Sequence, residues 1–416
     1  MKPTHIEGTP DLDDAMIDLL RSVRRSLGME VAFVSEFTGD LRVFRFVDSA
    51  PGFTPLSAGL AGPLDESYCK FVCEGMLPQV VRNAQDEPAV AHIAATRALP
   101  VGAHLSVPIR FSDGRLYGTF CCFSRSPDPT LNARDLSVMN TFAGFATRML
   151  ERVHLSETAR ARSRTRLARI TRDRQFEIHY QPMFDIAAGR LVGHEALARF
   201  TGRSGPAGPA DAADEAAVPE RTPGAWLQEA LQAGMLEPFE LAVLRAALDS
   251  LPRLQGDACL SMNVSPETIL AGHVDALLDG LPLERLVLEL TEHAPVIDYP
   301  LIVERLSRLR AAGLRLAVDD AGASLSSFRP LLRLEPDIIK LDASLVRRID
   351  VERGQRALAA ALVRFAEEVG IPVAAEGVET AGELRVLREL GVGQAQGFLL
   401  GHPAPLPGHR IEANTA

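Results

Sequence analysis

Two adjacent carboxylates, Asp319 and Asp320, directly follow the apolar run LRLAV and precede Gly322. Paired carboxylates at the end of a buried strand can flank two cations, and two cations activate water and stabilise the leaving oxygen of a phosphodiester. Polar residues also end or follow other apolar runs: Gln181, Glu195, Asn263, Glu289, Lys340, Glu376 and Gln396. Five of the whole set are carboxylates, and crowded carboxylates repel one another unless cations neutralise them. Oxygen donors with one amide suit hard divalent cations such as Mg²⁺ or Mn²⁺. No Cys or His belongs to the set, which disfavours a zinc site of thiolates or imidazoles. Each residue also has a plainer reading. Asp319-Asp320 can cap a helix, Glu195 can be a surface residue, and Asn263 can cap a helix beside the better candidate Ser265. Lys340 can pair with a neighbouring Asp, and Glu376 and Glu379 can offset a helix dipole. The metal reading rests on the set as a whole.

The elements that would position this set lie in residues 175–410. Eight strand-like runs occur there: FEIHYQP, RLVGHEAL, ACLSMNV, RLVLELT, LRLAVDD, DIIKLD, PVAAEGV and AQGFLL. Helical patterns such as PLIVERLSRLRAAG and ALAAALVRFAEEVG separate most of them, which implies parallel pairing by right-handed crossovers. The arrangement predicts a (β/α)8 barrel, whose active site forms at the C-terminal ends of the strands. The first connection is short and carries Gly189, so a hairpin and one antiparallel strand are expected. Residues 201–223, rich in Gly, Pro, Ala and Asp, read as a mobile loop inserted after the second strand.

Residues 11–150 have another pattern. A helix (Leu19, Leu20, Val23 and Leu27, stopped by Gly28) precedes the strand pair VAFVSEF and LRVFRFV. A second pair, HLSVPIRF and LYGTFCCFS, turns at Ser112-Asp113-Gly114 before a closing helix. This predicts an α+β domain with an antiparallel sheet. A connecting helix over 133–174 joins the regions, with an apolar stripe of Phe142, Phe145, Met149 and Val153. Seven arginines between Arg160 and Arg174 read as a solvated face, compatible with a weak coiled coil between two protomers.

The 416-residue length suggests two or three domains, and 46% hydrophobic with 24% charged residues is ordinary for a globular chain. The net charge of −10 argues against coating DNA or RNA. No apolar run of membrane-spanning length occurs, and the opening residues are unlike a signal peptide. Five scattered cysteines, Cys69, Cys73, Cys121, Cys122 and Cys259, do not suggest a disulfide framework. The expected compartment is cytoplasmic.

In family order the second region carries YQP at 180–182, Glu195-Ala196-Leu197, NVSP at 263–266 and ELTE at 289–292. DDAG at 319–322, KLD at 340–342, EGVE at 376–379 and QGF at 396–398 complete the series. This region resembles the EAL domain, the bacterial cyclic di-GMP phosphodiesterase module. The resemblance implies hydrolysis of cyclic di-GMP to linear pGpG with two Mg²⁺ or Mn²⁺ ions per site. Glu195, Asn263, Glu289 and Asp319 match ligands of the first metal; Asp319, Asp320 and Glu376 match groups around the second. Glu376 matches the general base, and Lys340 the lysine that holds the attacking water. Gln181 and Arg199 match residues contacting the dinucleotide. Gln396 and Glu379 match supporting residues, and Glu292 one that steadies the loop after the aspartates. The loop after Asp319-Asp320 departs from the family pattern: Ala321 stands for Phe, Ser324 for Gly and Leu325 for Tyr. Gly393 replaces the usual Asp before QGF.

The first region resembles a GAF domain, on DESYCKFVCEG, LSVPIRFSDGRLYGTFCCFS and the closing helix. That implies a sensor of a small molecule or a redox signal, regulating the barrel within a homodimer. Lys70 follows Cys69 where a bilin-binding domain commonly has His, so Cys69 reads as an inert buried thiol. His92 and His104 read as ordinary surface or loop histidines rather than haem or metal ligands. A non-catalytic cyclic di-GMP receptor is the alternative function, and a sensor with a purely structural barrel is a third.

Overall fold

A computed structural model of the chain describes residues 10–54, 56–90, 93, 101–200, 221–290, 298–321 and 333–406, the side chains of Pro10, Asp11 and Asp320 excepted. The backbone divides into two compact units, residues 1–159 and 160–416.

The first unit is an antiparallel sheet with both faces covered. Its strands are β1 (Val31–Thr38), β2 (Leu41–Ser49), β3 (Ala61–Pro63), β4 (Val80–Val81), β5 (Ala103–Arg110) and β6 (Leu116–Ser124), in the order β3-β2-β1-β6-β5-β4. Side chains alternate along a strand, and here both sets are buried. Ala32, Val34, Phe120 and Cys122 face one core with the helix Pro10–Ser26. Val31, Phe33, Cys121 and Phe123 face another with the short helix Tyr68–Cys73. Helix Pro10–Ser26 buries Leu12, Met16, Leu20 and Val23 at helical spacing.

The connecting helix runs Ala133–Arg172. Asn132 Oδ1 accepts from the Arg134 N–H at 2.8 Å, and Asp135 Oδ2 accepts from the Asn132 N–H at 2.9 Å, closing its first turn. Its buried stripe in the first unit is Met139, Ala143, Ala146 and Leu150. Of the expected stripe, Phe142, Met149 and Val153 pack half-buried at the edge of this core, while Phe145 is 49% exposed. The alanines let the helix lie closer to the sheet than phenylalanines would. Its last turns bury Leu167 and Ile170 with Phe200, Trp226 and Phe239 in the second unit. The arginines there are not simply solvated. Arg164 Nε donates to Ala233 O at 2.7 Å, Arg166 Nε to Glu229 at 3.1 Å, and Arg174 pairs with Asp249 at 2.8 Å.

The second unit is a closed eight-stranded barrel. Its strands are β7 (Glu177–Asp185), β8 (Leu191–Arg199), β9 (Cys259–Val264), β10 (Leu286–Leu290), β11 (Arg315–Ala321), β12 (Ile338–Leu341), β13 (Val373–Ala375) and β14 (Gln394–Ala395). From β8 to β14 the neighbours are parallel, while β7 is antiparallel to both β8 and β14. Gly189 turns the β7–β8 hairpin at φ +64°, a conformation that glycine adopts without steric cost. The expected strand AQGFLL is shorter than predicted, because the chain turns at Gly397, where a Cβ would meet Val378 backbone atoms at 2.2 Å. Of the expected insertion, residues 201–220 lie outside the described residues. Thr222 caps the helix Pro223–Ala233, so the insertion's last residues belong to that helix.

Candidate active site

Period-2 alternation builds the barrel mouth. Val287, Ala317, Ile338 and Ala374 form one apolar cluster low in the barrel. Two residues further along each strand stand Glu289, Asp319, Lys340 and Glu376. Successive residues of a strand point to opposite faces, so i and i+2 share the barrel interior. A charged layer therefore lies directly above an apolar one. Neighbouring strands add Glu195, in register with Ser261 and Gln181, and Asn263, in register with Glu289.

Lys340 occupies the middle of this layer with only 2% of its side chain exposed. Its Nζ lies 2.7 Å from Glu289, 3.4 Å from Glu195 and 3.5 Å from Asp319, and it also pairs with Glu376. Asn263 Nδ2 donates to Glu195 Oε1 at 2.8 Å. Gln396 Nε2 donates to Glu195 Oε2 at 2.5 Å and to Glu376 Oε1 at 3.1 Å. Among the described residues, no three acid, histidine or cysteine side chains are gathered as a ready metal cage; the lysine ammonium fills the place where these acids converge.

Burial and the mutual repulsion of the carboxylates set the protonation pattern. Burial, then the charge of Glu195, holds the Glu289 carboxyl well above the usual carboxylate range. Burial pushes Glu376 up to about 8, with Lys340 opposing and Asp319 adding to the rise. Burial also acts upward on Glu195, but Lys340 and the hydrogen bonds from Gln396 and Asn263 outweigh it, leaving the group below its usual range. Burial opposes the charge on Lys340, yet the surrounding carboxylates hold its ammonium well above the usual lysine range.

The remaining expected residues are placed differently. Gln181 is buried and donates to Gly401 O at 3.2 Å. It sits mid-strand beside Glu195 rather than at a C-terminal end, because β7 runs opposite to the other strands. Glu195 is likewise inside β8, four positions before its last residue, Arg199. Arg199 donates to Ala198 O at 3.0 Å. Glu379 is exposed and pairs with Arg347 at 2.7 Å, outside the Lys340 cluster. Glu292, residues 322–330 and the side chain of Asp320 lie outside the described residues. Ser265, not Asn263, caps the helix Pro266–Ala271.

One supporting residue was not among the expected ones. Glu240, on the helix Leu236–Leu248, is buried and accepts from the Ser265 hydroxyl at 2.6 Å and its N–H at 3.2 Å. It thereby ties down the turn that follows Asn263. The sequence signal was a lone acid on an apolar helical stripe, with Val243, Leu244 and Ala247.

An EAL domain family model matches residues 163–403, more than half of the chain. The chain belongs to the EAL domain family. A GAF domain model matches residues 9–151, ahead of the EAL domain. An uncharacterized signaling protein of Caulobacter vibrioides is 30% identical over 340 residues, covering 77% of this chain and 40% of that protein. The cyclic di-GMP phosphodiesterase NbdA of Pseudomonas aeruginosa is 32% identical over 250 residues, covering 58% of this chain and 30% of NbdA. The chain thus spans less than half the length of these curated relatives. The solved EAL enzyme Bd1971, with cAMP and cyclic-di-GMP bound, is 17% identical with a TM-score of 0.53, covering 90% of this chain and 91% of the other. That likeness speaks to the fold. No helix among the described residues is long and apolar enough to cross a membrane.

Proposed function

We propose that the EAL domain hydrolyses one phosphodiester bond of cyclic di-GMP, giving linear pGpG. The observation that carries this reading is Lys340 seated among the carboxylates of Glu195, Glu289, Asp319 and Glu376. The family supports it, since relatives include proteins named as a cyclic di-GMP phosphodiesterase and a probable one.

When all are ionised, four carboxylates against one ammonium leave three negative charges in excess (4 − 1). An oxygen-only donor set with that excess fits Mg²⁺ or Mn²⁺. Glu195, Asn263, Glu289 and Asp319 would hold one ion, and Asp319, Asp320 and Glu376 a second. Bound divalent ions supply stabilisation of the phosphoryl and leaving oxygens and a lowered water pKa. The chain's own residues orient and move the proton. Glu376 accepts it from the attacking water, and Lys340, which pairs with Glu376, orients that water by donating to it. Gln396 fixes the Glu195 and Glu376 carboxylates by donating to both. Arg199 offers the guanidinium that pairs with a substrate phosphate, while Gln181 contacts the dinucleotide. The GAF domain acts as the regulator.

A receptor that binds cyclic di-GMP without cleaving it is the second reading. It is favoured by the altered segment after Asp320, where Ala321 is buried in the place of the family's Phe. The test is a product assay: purified chain, cyclic di-GMP and Mg²⁺ or Mn²⁺, with and without chelator, resolved by chromatography. Chelator-sensitive pGpG is expected. Nucleotide retained by the protein and recovered intact would make the chain a receptor.

A further inference from the structure

Two thiols meet inside the first unit. Cys69 Sγ and Cys121 Sγ are 3.8 Å apart, and neither residue has exposed surface. Cys69 lies on the helix Tyr68–Cys73, and Cys121 lies on β6, between β1 and β5. Hydroxyls and one cation surround them. Ser106 Oγ is 3.1 Å from Cys121 Sγ, and Thr119 Oγ1 accepts from Cys121 Sγ at 3.2 Å. Ser35 Oγ lies 2.9 Å from Thr119 Oγ1 and donates to Cys69 Sγ at 3.7 Å. Arg42 Nη1 donates to the same sulfur at 3.9 Å.

Ser35, Ser106 and Thr119 have no exposed surface. Burying hydroxyls in an apolar core costs free energy unless they find partners, and here the partners include both sulfurs. Hydroxyl donors and a guanidinium around a sulfur are the groups that favour a thiolate. They divide the pair asymmetrically. Cys69 is held down to about 5, first by the S–H of Cys121 and, against burial, by Arg42, Thr119 and Ser35. Burial, first of all, holds Cys121 well above the ordinary thiol range. Geometry makes the same division: Ser35 and Arg42 donate to Cys69 Sγ, whereas Cys121 Sγ donates to Thr119, so Cys69 is the sulfur suited to attack.

We propose that Cys69 and Cys121 form a reversible two-electron oxidation site, with Cys69 attacking a small hydroperoxide and Cys121 resolving the product. The Cys69 thiolate attacks one peroxide oxygen; the S–O bond forms, the O–O bond breaks, and the leaving hydroxide takes up a proton. The Cys121 sulfur then attacks the sulfenic sulfur as its own proton leaves. The S–S bond forms, the S–O bond breaks, and water departs. Two thiols lose two electrons and two protons, and hydrogen peroxide becomes two waters. The sulfurs must close from 3.8 Å to about 2 Å. The short helix carrying Cys69 supplies that movement, because β6 is held by a strand on each side.

The test uses the reduced chain, residues 1–416, and hydrogen peroxide, followed by denaturing alkylation and peptide mass spectrometry. The expected result is loss of two of the five alkylatable thiols, recovered as a Cys69–Cys121 linked peptide and reversed by dithiothreitol. In Cys121→Ser, which keeps a hydroxyl donor beside Cys69, Cys69 should stop at a sulfenic acid that a cyclic 1,3-dione traps when the protein is denatured in its presence. Peroxide acting on the native protein without modifying either residue would overturn the proposal. So would oxidation of the pair only after unfolding in denaturant, and both of these readouts need no variant.

Discussion

The two units bury polar groups in opposite ways. At the barrel mouth the buried groups are charges of one sign in excess, with Lys340 contacting four carboxylates. Around Cys69 and Cys121 in the first unit they are hydroxyls and thiols, with the half-buried Arg42 donating to one sulfur. The first arrangement holds more carboxylates than cations, and burial first, then neighbouring carboxylates, hold Glu289 and Glu376 up. The second is closed on itself, because the donors present can balance one thiolate. A buried cluster short of counter-charge points to a cation that must be added, whereas two close thiols point to chemistry that needs only a small oxidant.

The largest effect should come from removing the central cation of the barrel mouth. Lys340→Met would leave buried carboxylates unpaired, which costs about 3–5 kcal/mol, and should abolish pGpG formation. Urea unfolding with and without Mg²⁺ measures this, and added Mg²⁺ should restore part of the stability. A loss of stability below 1 kcal/mol would mean that Lys340 is no keystone of the site.

Crowding the first unit should cost less. A Cβ on Gly118 would meet Ser35 O at 1.9 Å, so Gly118→Ala should destabilise by about 1–3 kcal/mol. Gly224 is the control, since a Cβ there meets nothing within 4 Å. Thermal unfolding should separate the two variants clearly, and equal melting temperatures would contradict the close β1–β6 packing.

The smallest effect is a pH dependence. His104 is buried against Tyr68, not the surface or loop residue expected, and its Nδ1 has no hydrogen-bond partner among the described residues. Burial, and then Arg42, lower its pKa to about 3. A depressed value means stability that is full above about 6.5 and is lost as pH falls toward 3. The slope is about 1.4 kcal/mol per pH unit for one proton. Unfolding midpoints of wild type and His104→Gln at pH 7 and pH 5 test this. The variant should lack that part of the slope, and parallel profiles would show His104 to be accessible to protons when folded. His92 lies outside the described residues.

Much of the barrel mouth was legible because local periodicity determines it. Glu289, Asp319, Lys340 and Glu376 each end or follow an apolar run, and in a strand the period of two settles which face they share. The hairpin was legible in Gly189 for the same local reason. Gln181 was misread as lying at a C-terminal strand end, because strand direction depends on pairing across the whole barrel. Glu240 shows the same limit, since its partner Ser265 is 25 residues away. The contact of Cys69 with Cys121 spans 52 residues and joins a helix to a strand. No spacing rule announces it, so a thiol read as inert proves to have a second sulfur beside it.

The most direct test is the hydrolysis rate of Glu195→Ala against wild type, with cyclic di-GMP and saturating Mg²⁺. Glu195 is held by Asn263, Gln396 and Lys340 at once, and its loss should remove turnover while circular dichroism shows the fold retained. A fall in rate of at least about 10²–10³-fold, typical for removal of a transition-state electrostatic group, is the predicted result. Near wild-type formation of pGpG by Glu195→Ala would contradict the assignment of the barrel mouth as the site.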